Sequence, residues 1–496
     1  MHAANSSRLH RSAIAGLLLA AAALAGCGPD DEESAAPFAG SETELLVPSG
    51  LGAETAWPRI LDEWTARTGG KFRVTPYDAA PPRSSTTAAR SAAAGIVVFP
   101  LAELPELVAA GMPTPIPAER MDSAQLAWVD VLPGLRESVG RAGGRPAVLP
   151  VACPVFVLYY RRDLLEKAGL SPPATWEDYA ALVETLDRWA PGLVAVEPWG
   201  PNWRTAMFLA RAVSYCRHPE NYSVFFDVEN AQPLIHGAGF VRALDEARNA
   251  RIRLAPESLG YSPADCRREF FSGRAALAIA FELGPGQPTG SVPASGDAAA
   301  AERPPTMRAG FAPLPGVREV FYRSGDAGRW ERMAAVHRVT LVGFAGLGAA
   351  VVGRGPPPAA WDLLRALTID EVVSAFPSGA RTPCRASQLA GPPSAWVGSE
   401  LVGTEPAEYL SAVELSLRSE TVVADLPIVE RAWFRNALTI ALDAALTGKA
   451  TSSGALNAVA QRWGMLLEEH GPGRVLDSYR RSLGLRPLST PDASPQ

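Results

Sequence analysis

Residues Val148–Trp189 read VLPVACPVFVLYYRRDLLEKAGLSPPATWEDYAALVETLDRW. The run Val155-Phe156-Val157-Leu158-Tyr159-Tyr160 is short, β-branched and aromatic, which predicts a buried strand. Pro150 and Pro154 interrupt its approach, and a central strand tolerates badly a residue that cannot donate to the ladder. The chain is therefore expected to pass between two layers at this point. A short amphipathic helix from Arg161 to Ala168 should stop at Gly169, which takes a left-handed C-cap without steric cost. Pro172-Pro173 bars further helix, and Thr175 with Asp178 has the spacing of a capping box that starts the next one. Tyr179, Leu182, Val183 and Leu186 then fall on one face, at i, i+3, i+4 and i+7.

Upstream, Glu44–Pro48, Phe72–Tyr77 and Gly95–Phe99 read as strands separated by helical stretches, one of them with Trp57, Ile60, Leu61 and Trp64 on a single face. Strand, helix and strand in succession predict an α/β fold with a parallel sheet. Ligands collect at the carboxyl ends of such strands, which makes Ser49, Gly50, Phe99 and Pro100 candidates. Downstream, Leu193–Val196 is a strand, and helices follow around Arg204–Tyr215, Gly239–Ile252 and Pro263–Phe271. Gly284–Thr306 is a low-complexity tract, expected to be an exposed, mobile insertion. Val317–Met333 alternates about Ser324–Gly328 as a hairpin would. His337–Val342 reads as a strand with a turn, Gly343-Phe344-Ala345-Gly346, at its carboxyl end. Helices are expected over Pro358–Leu367, Pro406–Leu417, Val429–Leu446 and Ser452–Glu468.

The N-terminus reads as a targeting segment. Arg8, His10 and Arg11 precede an apolar stretch, Ala13–Ala25, too short to span a bilayer. Leu24-Ala25-Gly26-Cys27 resembles the bacterial lipobox, which implies cleavage before Cys27 and a lipid on its thiol. Gly28–Thr43 is acidic and nearly free of large apolar groups, the composition of a disordered tether. The net charge of -6 and the absence of a basic run speak against nucleic acid as a partner. Four further cysteines, Cys153, Cys216, Cys266 and Cys384, permit three disulfide pairings or none.

The strand running into Tyr-Tyr-Arg-Arg-Asp-Leu-Leu-Glu-Lys-Ala-Gly-Leu, followed by Pro-Pro-Ala-Thr-Trp-Glu-Asp, resembles the signature of the family-1 extracellular solute-binding proteins. Phe270-Phe271-Ser272-Gly273-Arg274-Ala275-Ala276-Leu277, Arg308–Pro315, Ser378–Pro383 and Leu446–Leu456 extend the resemblance over about Glu44–Leu483. It implies a two-lobed, periplasmic-binding-protein-like fold of type II, each lobe a mostly parallel sheet flanked by helices. The implied division is a signal peptide at 1–26, a tether at 27–43, a first lobe of 44–149 with 307–366, a second of 150–306 (including an insertion at 285–306) with 367–483, and a tail at 484–496. Val151, Ala152, Cys153, Pro154 and Val155 would be one hinge strand, and Gly310–Pro313 another.

For sugar recognition the resemblance implies aromatic faces for C–H groups and polar side chains for hydroxyls. Phe99, Trp199, Trp203, Phe281, Phe344 and Trp433 are the aromatic candidates, with Trp199 favoured because Glu197-Pro198-Trp199 matches a family ligand loop. Glu197, Glu282 and Arg381 are the polar candidates, and Gly343 belongs to a glycine-rich ligand loop. Each also has an ordinary reading, as core aromatic, lobe–lobe ion pair or solvated charge. No HExxH, GxSxG, SxxK or Walker A pattern occurs, and His218, His236 and His337 stand singly, so neither a catalytic constellation, a cofactor nor a metal is expected. The expectation is a monomeric, lipid-anchored receptor passing a sugar or oligosaccharide to the permease of an ABC importer by hinge closure. The rivals are the same fold serving as a sensor or partner protein, and a secreted carbohydrate-active hydrolase.

Overall fold

A computed structural model describes residues 36–50, 57–59, 61–79, 84–91, 94–121, 126–282, 303–324, 327–353, 356–369, 373, 382–419 and 421–488. Cys27, most of the low-complexity tract and Arg381 lie outside the described residues. In chain order come β1 (Glu42–Pro48), β2 (Lys71–Tyr77), β3 (Ala94–Pro100), α1 (Leu104–Ala109), α2 (Pro133–Ser138), β4 (Leu149–Ala152), β5 (Val157–Arg161), α3 (Trp176–Glu184) and β6 (Val194–Val196). Then follow α4 (Arg204–Cys216), α5 (Ala238–Arg251), α6 (Pro263–Phe271), β7 (Ala275–Ala280), β8 (Ala309–Pro313), the hairpin β9 (Val317–Ser324) and β10 (Ala327–His337), β11 (Thr340–Val342) and β12 (Leu347–Gly353). The chain closes with α7 (Pro358–Ala366), α8 (Glu405–Arg418), β13 (Val422–Ala424), α9 (Arg431–Leu446), α10 (Ser452–His470) and α11 (Pro472–Ser482).

Two principal sheets organise the molecule. The first has the order β2-β1-β3-β12-β4, the second β8-β5-β7-β6. β4 and β5 lie in different sheets, so the proline-flanked segment Cys153–Phe156 carries the chain across, as the two prolines imply. The sheets are mixed rather than mostly parallel. β1 runs parallel to β2 and β3, but β12 arrives from the second unit and enters antiparallel to both β3 and β4. In the second sheet only β6 and β7 are parallel.

The return crossing also differs from the expectation. Residues 309–313 pair with β5 in the second sheet instead of leading back to the first lobe. Gly310 makes this possible, because a Cβ there would overlap the ring of Tyr160. The hairpin that follows stays with the second unit: the Val339 N–H donates to Ser214 Oγ of α4 at 3.1 Å, and Asn221 Nδ2 donates to the Arg323 carbonyl at 3.2 Å. The chain crosses back at Gly343–Gly346, both ends of which have positive φ. A Cβ on Gly346 would overlap the Ala152 carbonyl, so two crossing segments touch backbone to backbone. Residues 382–389 remain with the first unit, where Arg385 Nη1 donates to the Ala127 carbonyl at 3.1 Å and Gln388 Nε2 to that of Thr368 at 3.0 Å. A third crossing follows before α8.

Local signals are realised closely. Gly169 caps its helix at φ +67°, and Thr175 and Asp178 form the reciprocal capping box, with bonds of 3.2 and 2.9 Å. Tyr179, Leu182, Val183 and Leu186 are buried. One apolar core surrounds the first sheet and continues through Val155, Val157 and Tyr159. Another fills the remaining face of the second sheet under α3, α4, α5, α9, α10 and α11. The four cysteines are buried free thiols, and burial pushes that of Cys153 up to about 12.

Candidate functional site

Several expected ligand contacts are turned inward. Glu197 and Trp199 have no exposed surface. Glu197 accepts from Arg211 Nη2 at 2.9 and 3.0 Å and from the Trp199 indole at 3.0 Å, while the Arg211 guanidinium lies 4.0 Å over the Trp176 ring. Burial works against the charge on Arg211, and Glu197 together with Tyr179, Glu246 and Tyr215 outweighs it. The Glu197-Pro198-Trp199 loop is thus a neutralised charge pair inside the second core, and in this conformation it offers a ligand no face. Glu282 is likewise enclosed: it accepts from Arg267 Nε at 2.8 Å, Tyr159 Oη at 2.8 Å and the Gly398 N–H at 2.9 Å. Phe99 is fully buried between the strands of the first sheet.

Phe281, Phe344 and Trp203 are brought together. They join Phe156 in an aromatic cluster at the crossings, with Phe156 and Phe344 stacked at 4.7 Å and Trp203 edge-on to Phe281 at 5.7 Å. One partner sits just before β5 and another in the returning turn, so the cluster links two crossing segments. Ser49 and Gly50 are exposed at the carboxyl end of β1, and Trp433 is 55% exposed on α9, stacked on His470.

A recess between the two units lies elsewhere. A groove of ≈ 490 Å³ runs between the two units. The first unit contributes Glu137, Ser138, Arg141 and Gly144 from the end of α2 and the turn after it. The second contributes Arg217, Tyr222, Val224 and Phe225 after α4, Val422–Ala424 of β13, and Tyr479, Ser482 and Leu483 at the end of α11. A smaller cavity of ≈ 40 Å³ shares Ser138, Arg141, Ala424, Pro427 and Ser482 with it and adds Leu101, Leu104, Gly343, Asp425 and Arg481. Gly343 is the expected contact that lines it. The larger volume falls within the roughly 300–1,000 Å³ of small-molecule sites.

The walls are held by identifiable contacts. Tyr479 Oη accepts from the N–H groups of Val224 and Phe225 at 3.0 and 3.1 Å, which pins that loop to α11. Arg141 is spent on Glu137 at 2.7 Å and on the Gly144 carbonyl at 2.8 Å. Across the units, Glu106 of α1 accepts from the Glu430 N–H at 2.6 Å, and Arg474 of α11 pairs with Glu430 at 3.0 Å and reaches Glu106 at 3.8 Å. Gly134 lets α2 approach the end of α8, since a Cβ there would stand 2.7 Å from the Leu417 carbonyl. The groove residues come from separated stretches and have no motif. α11 has a local signal, Pro472 at its first turn after Gly471 and apolar Val475, Leu476 and Tyr479 on one side.

Among the described residues no group of three or more His, Cys, Asp or Glu could hold a metal ion, and no helix is long and apolar enough to cross a membrane. Residues 49–368 match the family model of the bacterial extracellular solute-binding protein. The chain belongs to that family. Its fold is shared by the sugar-binding protein MalE from Xanthomonas citri (TM-score 0.61, 18% identity, 87% of this chain and 98% of that one). It is also shared by maltose-bound MalE3 of T. maritima (0.57, 17%, 86% and 100%). An ABC transporter solute-binding protein from Agrobacterium radiobacter in complex with ribitol is similar too (0.55, 19%, 87% and 100%). Solute-binding proteins of this extracellular family work outside the cytoplasm, and two sheets joined by short crossings are the architecture this chain has in common with them.

Proposed function

We propose that this solute-binding protein is anchored by a lipid on Cys27 and captures a carbohydrate or polyol between its two units for an ABC importer. One observation carries the reading: a ligand-sized groove takes one wall from each unit of a fold whose sheets are joined by short crossings. A guest touching both walls binds the closed arrangement better than the open one and shifts the population toward it. Cys153–Phe156 and Gly343–Gly346 absorb the rotation, with the aromatic cluster as pivot packing. Gly343, which lines the adjoining cavity, and Ser49, Gly50, Arg381 and Trp433 stay within the proposal as contacts, Trp203 and Phe344 belong to the pivot packing, and the inward Glu197, Trp199 and Glu282 support the second unit. Maltose in one neighbour and ribitol in another support a polyhydroxylated ligand.

Titration calorimetry with a panel of neutral sugars, sugar acids, maltodextrins and polyols, paired with small-angle scattering, tests this. Saturable binding with a smaller radius of gyration and unchanged ligand is expected. Product release from the oligosaccharides points to a hydrolase instead, and silence across the panel ends the receptor reading. Labelled palmitate should enter the wild type and not Cys27→Ser.

A further inference from the structure

The charges around the groove are not balanced in the way they are in the core. Glu137 is held by Arg141 and Arg136, and Asp425 by Arg431 and Arg435. Arg217 has no carboxylate partner among the described residues. Its Nη1 donates to the carbonyls of His218 at 2.5 Å and Pro219 at 3.5 Å, and Nε and Nη2 have no acceptor there. Half-buried, it carries a charge that burial disfavours, and Tyr479 offsets that only in part. Arg481, on the last turn of α11, lines the adjoining cavity and also makes no ion pair among the described residues. Asp425 lines the same cavity, is 4% exposed, and has a buried Oδ1 with no hydrogen-bond partner.

A half-buried guanidinium without a counter-charge is costly to keep unless something anionic meets it. A buried carboxylate oxygen without a donor has the opposite need, a hydroxyl or amine. We infer that the ligand of this groove is a polyhydroxylated solute bearing an anionic group, a sugar acid or sugar phosphate, whose anion lies on Arg217 and Arg481 and whose hydroxyl donates to Asp425 Oδ1. This rests on the receptor reading above and narrows it. Carboxylate and phosphate share the chemistry a guanidinium recognises, so the two sources are separated by experiment. The neutral sugars and polyols seen in the neighbours would lack the anion.

The test is calorimetry on the full chain with matched pairs: D-glucuronate against D-glucose, D-galacturonate against D-galactose, and D-glucose 6-phosphate against D-glucose. The charged member of at least one pair should bind at least about tenfold tighter than its neutral partner, and its affinity should fall as salt rises. Arg217→Gln and Arg481→Gln should each weaken it by about tenfold with the melting temperature unchanged. Asp425→Asn is read by the melting temperature first, because it also removes a partner of Arg431. If the 6-phosphate binds and the acids do not, the anion is a phosphate; the reverse result assigns a carboxylate. Neutral sugars binding as tightly, with no effect of either arginine substitution, would overturn the inference and leave the receptor reading standing. No binding by any sugar or acid would overturn both.

Discussion

Arg211 and Arg217 belong to the same stretch of chain, one inside α4 and one just past its end. Arg211 is buried against Glu197 and stacked on Trp176, with its charge met on both sides. Arg217 is half-buried and, among the described residues, its guanidinium donates to two carbonyls of its own loop and to no carboxylate. The contrast separates two uses of one residue type. A guanidinium with a carboxylate in a dry site holds elements together, and its cost is offset internally. A guanidinium left short of a counter-charge at the wall of a recess is placed where a counter-charge from outside could meet it. The same division applies to the acids: Glu282 is saturated by three donors, whereas Asp425 keeps one oxygen bare.

The comparison can be broken most forcefully on its buried side. Glu197→Ala leaves Arg211 enclosed without a counter-charge and should cost about 3–5 kcal/mol in urea denaturation. A loss under about 1 kcal/mol would show that the pair does not hold the second core. Glu282→Ala should cost nearer the lower end, about 3 kcal/mol, because Glu400 remains beside Arg267 at 2.8 Å.

Intermediate sites give an intermediate effect through pH. The Arg267 hydrogen bond holds Glu400 below the usual carboxylate range against burial. Burial pushes Glu405 up, but Arg303 and the N–H groups of Val402 and Ala309 outweigh it and hold it low. Groups depressed in the folded state bind fewer protons there than when unfolded. They stabilise fully above the unfolded value of about 4.3, and that contribution drains away as pH falls through the folded values. The urea midpoint should therefore drop below about pH 4.3, and Glu405→Gln should flatten part of that fall. The smallest expected change is on the groove side. Arg217→Gln should move stability by no more than about 0.5 kcal/mol, and a loss as large as that of Glu197→Ala would erase the distinction.

What could be read in advance was local. The Thr175–Asp178 box, the Gly169 cap, the four apolar residues of α3 and the proline-marked departure from β4 depend on neighbours a few residues away, so their spacing is visible in the chain. Glu197 could not be placed the same way. Its partner Arg211 is 14 residues downstream, and nothing in either residue tells an inward pair from an outward ligand contact. Residues 309–313 look apolar enough for either sheet, and the choice was settled by tertiary packing of Gly310 on Tyr160. The groove is assembled from residues near 140, 220, 424 and 480, so it exists only once the chain is folded.

β4 joins the first sheet through β12, the strand that also completes the edge of β3. That link is synthesised only after the entire second sheet, and three of the helices covering the second sheet, α9, α10 and α11, come later still. Neither half can be finished while the rest is being made, and the decisive pairings join distant parts of the chain, which slows them. In a member of a family that works outside the cytoplasm, late zipping leaves the two halves open while the chain is being made.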